Sequence, residues 1–144
     1  MADMLANTGA VDILNAFFNN VFPTSKNLTL RLFTNNHSPA SADTAASYTE
    51  AAGGGYAAIT LTNGSWVQSL TNSIEQVAYA QQTFGFTGAL TTNPIVYGYY
   101  ITDGSASPAL VAAGLLLAPF TPANNGDQIQ VTPVIQLSHG TPAA

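Results

Sequence analysis

The hydrophobic period of this chain changes at Pro23, and that change constrains the fold more than any other feature. Before it, residues 9–22 (GAVDILNAFFNNVF) place Ala10, Ile13, Leu14, Phe17, Phe18 and Val21 at spacings of three and four. Such spacing lays one apolar stripe along a helix. Thr8 or Asn7 can cap its first free amides, and Asp12 is expected in the first turn, where the helix dipole favours an anion. Asn19-Asn20 and then Pro23 stop it. An amphipathic helix of this length needs a surface to lie on.

After Pro23 the period becomes two. Residues 27–34 (NLTLRLFT) put Leu28, Leu30 and Leu32 on one face of a strand. Residues 56–62, 65–70 and 75–86 read as further strands, the last with a break of unknown position, and Asn63-Gly64 marks a turn. Residues 95–102 (IVYGYYIT) are the strongest strand, being almost wholly β-branched or aromatic. Gly98 inside it signals a bulge or a close approach to the backbone. Residues 110–117 are apolar almost throughout, as in a strand buried on both faces, with Pro119 and Pro122 bracketing a crossover. Asn124 to Asp127 turns the chain into a closing strand, 128–138, in which Pro133 belongs at an edge or a bulge.

Seven or eight short strands after one helix imply a mainly β fold. The expectation is an antiparallel β-sandwich, jelly-roll-like or immunoglobulin-like, with one N-terminal α-helix. Residues 1–138 are expected to form the domain and 139–144 a flexible tail.

Charge narrows the function. Of 144 residues, 6% are charged, against roughly a quarter in an ordinary soluble domain. The net charge is −5 and only Lys26 and Arg31 are basic. Two scattered cations cannot release the counterions of duplex DNA or hold an anionic membrane, so neither is an expected partner. Mean hydropathy is +0.19, with no run of 18 apolar residues that would read as a membrane helix. Either a neutral polar exterior is tolerated, or partners cover much of the surface. The second reading is preferred. There is no cysteine, hence no disulfide framework, and residues 1–14 lack the basic and apolar regions of a signal peptide.

The residues suggest no catalysis. His37 sits in a polar loop and His139 in the tail, without metal-ligand spacing, and the seven carboxylates are dispersed. No catalytic, metal or cofactor residue is assigned. The glycine triplet Gly53-Gly54-Gly55 lacks the Lys-Ser/Thr and the helix of a phosphate loop. It reads as permissive backbone entering the Tyr56 strand, at the end of the long 35–55 loop. Trp66, Tyr97, Tyr99 and Tyr100 could form a glycan platform. By strict alternation, however, Tyr97 and Tyr99 share one face and Tyr100 takes the other, so at least one face is core or interface.

The segment order resembles that of small virion structural proteins of tailed bacteriophages. In those a helix ends in a phrase like ILNALF, a strand like LYLALFT follows, then E-x-x-GGGYAR, an aromatic strand like VYGYFI-D, and a closing NAGD-x-I-x-V-x-P-x-I-x-L. Here the matching stretches begin at Ile13 (ILNAFF), Leu30 (LRLFT), Glu50 (EAAGGGYA), Val96 (VYGYYITD) and Asn125 (NGDQIQVTPVIQL). Ala58 departs from the pattern, standing where a basic residue often follows. The resemblance spans nearly the whole chain. It implies a non-enzymatic β-sandwich, a homo-oligomer with a trimer as the natural guess, made in the bacterial cytoplasm and placed on the capsid exterior. The implied role is decoration, or cement, bound to the major capsid protein, with a tail, neck or fibre component as the alternative. Candidate contact residues are Met4 and Leu5, then His37, Tyr48, Gly53, Gly54, Gly55 and Tyr56. The glycan platform is a further alternative.

Overall fold

The structure, a computed structural model, describes residues 4–20, 27–71, 74–91 and 93–137. The expected tail at 139–144 and the last two residues of the expected helix, Val21 and Phe22, lie outside them. The fold is mainly β, with antiparallel sheets and one helix near the N-terminus, as the change of period implies.

Strand β1 (Met4–Leu5) leads into helix α1 (Asn7–Phe18), then β2 (Leu28–Phe33), a 3-10 turn (Ala45–Ser47) and β3 (Ile59–Leu61). There follow β4 (Val67–Thr71), β5 (Ile74–Ala78), β6 (Gln82–Gly85), β7 (Val96–Asp103), β8 (Leu110–Phe120), β9 (Gln128–Val131) and β10 (Val134–Leu137). A five-stranded sheet runs β1-β8-β7-β2-β3. A three-stranded sheet runs β10-β5-β4, and β6 pairs with β9. The break expected within 75–86 falls at residues 79–81, and the closing strand divides at Thr132-Pro133. Pro133 needs no amide hydrogen there, and its carbonyl accepts from the Tyr79 amide at 3.0 Å.

The period-2 reading of β2 accounts for the core. Leu30 and Leu32 are fully buried between the sheets with Ile101, Phe84, Ile129 and Ile135, and Leu28 packs against them. The alternate residue Phe33 points to the other side of the five-stranded sheet, into a second cluster with Ala6, Tyr48, Tyr100, Leu110 and Ala113. The large sheet is therefore covered on both faces along its central strands.

Three expectations change. Strict alternation in β7 fails at Gly98. The register with β8 shifts between Val96 and Gly98, so Tyr97 joins the Tyr100 cluster while Tyr99 faces the main core. Gly98 is a close approach as well as a bulge: a Cβ there would meet the Gly114 carbonyl at 2.3 Å and the Phe33 ring at 2.6 Å. Second, β8 is buried on both faces only over Leu110–Ala113. Beyond that it emerges, leaving Leu115 and Leu117 exposed, and Pro119 lies within the strand rather than in a crossover. Third, Tyr56 stands before β3 instead of opening it.

Candidate functional site: an uncovered helix and groove

The residues picked out in the sequence gather mostly on the long loop, and the loop folds onto its own sheet. Glu50 bridges to Phe33 and Gly53 to Leu90. The Ala51 amide donates to the Leu32 carbonyl (2.9 Å) and the Thr34 amide to the Thr49 carbonyl (2.8 Å). The glycine triplet is the point of closest contact. All three residues have positive φ, at 82°, 57° and 78°. A Cβ on Gly54 would lie 2.5 Å from the Gly88 carbonyl oxygen, and one on Gly53 would lie 2.4 Å from the Thr91 side chain. The Thr87 amide donates to the Gly54 carbonyl (2.8 Å) and the Thr91 amide to the Ala52 carbonyl (2.9 Å). The triplet is thus a fixed seam between two chain segments, in place of the flexible entry expected from sequence.

Two polar constellations lock the same region. Asp43 Oδ2 accepts from the Ala40 amide, from the Tyr48 hydroxyl and from His37 Nε2, each at 2.8 Å. Burial acts to raise the Asp43 carboxyl, but these hydrogen bonds and the imidazole outweigh it and hold the group below its usual range. The Tyr48 ring stacks on Tyr100 with centroids 5.1 Å apart. Burial, then the hydrogen bond and charge of Asp43, push its hydroxyl pKa up. In the second constellation, one Arg31 guanidinium nitrogen reaches both Glu50 oxygens, at 2.9 and 2.7 Å. The Tyr56 hydroxyl donates to Glu50 Oε1 (3.0 Å) and accepts the Leu32 amide (3.1 Å), closing the β2 ladder where β3 has departed. An imidazole oriented by a carboxylate is also the geometry of a general base. Here the carboxylate's partners all come from residues 37–48, so the group ties one loop together. Among the described residues no three His, Cys, Asp or Glu side chains are grouped to hold a metal ion.

Met4 and Leu5 pair with Ala113 and Ala112 of β8 as an edge strand. Tyr48 is buried, and Tyr56 is partly buried against Phe84. The four rings of the glycan alternative are not brought together. Tyr99 and Tyr100 are buried on opposite faces of the sheet, and Trp66 meets Tyr79 edge-on.

The exposed chemistry lies elsewhere. Helix α1 is anchored at its N-terminal end, without the side-chain cap expected of Asn7 or Thr8. The Ala6 amide donates to the Val111 carbonyl (2.9 Å), the Asn7 amide to the Ser41 carbonyl (3.0 Å), and the Thr8 hydroxyl to the Leu110 carbonyl. Gly9 sits directly on β8, where a Cβ would come 2.5 Å from the Val111 oxygen. Asp12 lies beyond the first turn, and its pKa is raised by burial and then by the charge of Asp103. These contacts hold the N-terminal end, and further along the helix large apolar side chains of the stripe are exposed. Phe17 is 81% exposed and Phe18 73%, with Leu14 and Ile13 also open to solvent.

Beside the helix lies an apolar groove of 310 Å³, lined by Ile13 and by Val77, Ile135, Leu137, Gln68, Glu75 and Gln76 of the three-stranded sheet. Alternation explains that sheet's two sides. Ser69, Gln76 and Gln136 form a hydrogen-bonded polar row on one face. Leu70, Val77, Ile135 and Leu137 share the other, where Val77 and Ile135 reach the core. Leu70 and Leu137 overhang the core and stay exposed. The helical period implies a surface for the stripe to lie on without saying which, and alternation alone does not single out Leu70 or Leu137. The available signal was the pair Gly9-Ala10, small residues that let the helix start, rather than its stripe, meet the sheet.

Comparison with family models, with curated proteins and with solved structures yields no match.

Proposed function

We propose that this chain is a non-enzymatic structural subunit of a tailed-phage virion, acting as a capsid decoration protein on the outside of the major capsid lattice. The observation that carries the reading of an assembly subunit is the apolar side that α1 and the overhang of β4 and β10 leave exposed among the described residues, in a chain of which 6% is charged. A monomer rarely keeps a contiguous apolar patch above a few hundred Å² without a use for it. The resemblance in segment order supplies the setting, and the acidic balance suits a surface turned away from packaged DNA. Many copies, each with a modest contact, would stabilise a shell through avidity.

The test is reconstitution. Particles assembled without the chain are mixed with purified protein, and binding and the temperature of DNA release are followed. The expected result is saturable binding and release at a higher temperature. Absence of binding, with an unchanged release temperature, would refute the decoration role.

A further inference from the structure

We propose that the α1–groove surface is occupied by the same surface of a second copy of this chain, in a twofold, ridge-into-groove contact. The inference rests on the reading of the chain as an assembly subunit and names the partner of that surface.

Shape comes first. One patch contains both halves of a self-complementary joint. Phe17 and Phe18, edge to face with centroids 5.0 Å apart, make a ridge. The groove lined by Ile13, Val77, Ile135 and Leu137 is the hollow, and Ile13 stands one helical turn before Phe17. A patch that carries its own complement can meet a copy of itself through a twofold axis. A threefold ring, the arrangement implied by the resemblance, would instead need the ridge and the hollow on separate surfaces.

Area agrees. Ile13, Leu14, Phe17, Phe18, Leu70 and Leu137 are exposed by 41–81%. At ~170 Å² per side chain they offer on the order of 600 Å². Two copies would then bury ~1,200 Å², the lower end of the range for specific interfaces.

Charge agrees as well. Arg31, the one Lys or Arg among the described residues, is tied to Glu50, so those residues offer no free Lys or Arg to an anionic partner. Each copy carries −5 overall, so association must use a near-neutral region. The groove meets that need. Its one carboxylate, Glu75, accepts a hydrogen bond from Gln68 at 3.0 Å, and the six patch residues are uncharged.

The test uses the full chain. Sedimentation velocity from micromolar to submillimolar concentration should show a monomer–dimer equilibrium. Phe17→Asp and Leu70→Asp should each weaken it by ~30-fold or more, while Ser69→Asp on the opposite face of the same sheet should leave it unchanged. Circular dichroism melting of each variant separates loss of contact from loss of fold. Because the chain has no cysteine, a cross-link gives a geometric readout. Mixing Phe17→Cys with Leu70→Cys chains under mild oxidation should yield a disulfide-linked heterodimer. The inference is overturned by a folded protein that stays monomeric throughout, whether or not it binds lipid vesicles. It is equally overturned by a dimer that ignores both aspartate variants and gives no cross-link. A monomer that still binds the phage shell refutes the inference and leaves the decoration role standing; a dimer that ignores the shell does the reverse.

Discussion

The two sides of this molecule treat the same amino-acid vocabulary in opposite ways. On the loop side, His37, Asp43, Tyr48, Glu50 and Tyr56 turn their polar groups onto one another and onto the large sheet. Asp43 gathers three donors on one oxygen, Glu50 takes both Arg31 and Tyr56, and three glycines lie against residues 87–91. On the helix side, side chains of α1 and of the β4–β10 overhang keep apolar surface that none of the described residues covers. A scarcity of charge therefore has two structural meanings. Where the chain can fold back, neutral polar groups satisfy one another. Where the described residues do not fold back, apolar side chains stay exposed, and on the proposal above a second copy covers them.

The sharpest way to break that contrast is at the seam. Gly54→Ala introduces a Cβ 2.5 Å from a backbone oxygen at a φ of +57°, with backbone on the opposing side that cannot swing away. The expected loss of unfolding free energy is roughly 3 kcal/mol, read from urea denaturation. Gly64→Ala provides the scale. It has a similar φ of +85° and nothing within 4 Å, so it should lose only ~1 kcal/mol. Equal losses at the two sites would show that backbone conformation alone, and not close approach, makes the seam.

A smaller effect of opposite sign is expected inside the large sheet. Thr102 Oγ1 is buried without a hydrogen-bond partner in the structure. Thr102→Val keeps the β-branched shape and removes the orphan hydroxyl, so it should raise stability by ~1 kcal/mol. A loss of similar size would mean that the hydroxyl is satisfied.

The smallest effect is local and depends on pH. The Asp43 carboxyl lies below its ordinary range in the folded chain. A depressed carboxylate contributes stability that is present above the unfolded value, ~3.9, and is lost as pH falls through the folded value. Acidification below about pH 4 should therefore loosen residues 37–48 before the sheets unfold. The Ala40 amide resonance, which reports the Asp43 hydrogen bond, should move first. If Ala40 moves only with global unfolding, the constellation has no separate role in holding the loop.

Much of the fold was legible because alternation and the helical period are written residue by residue. The Leu28-Leu30-Leu32 row, the aromatic strand and the turns at Asn63-Gly64 and Asn124–Asp127 came from spacing and turn chemistry alone. Places where one segment's path depends on a distant one were not legible. Gly98 signalled a bulge, yet the phase slip that carries Tyr97 to the Tyr100 side depends on three extra residues in β8 opposite it. The triplet's positive φ could be anticipated from glycine, but its contact with residues 87–91 could not. The candidate site was half legible. The helix stripe was apparent from Ile13, Leu14, Phe17 and Phe18. That it stays bare follows from Gly9 docking on Val111, a contact between residues about a hundred positions apart.

Hydrogen–deuterium exchange as a function of protein concentration tests the central contrast most directly. The amides bonded across the loop side, Ala51 and Thr87 among them, should be protected equally in dilute and concentrated solution. The amides of α1 should gain protection only as concentration rises. Protection of α1 that does not change with concentration, together with concentration-dependent protection in residues 35–56, would contradict the account and move the contact surface to the loop.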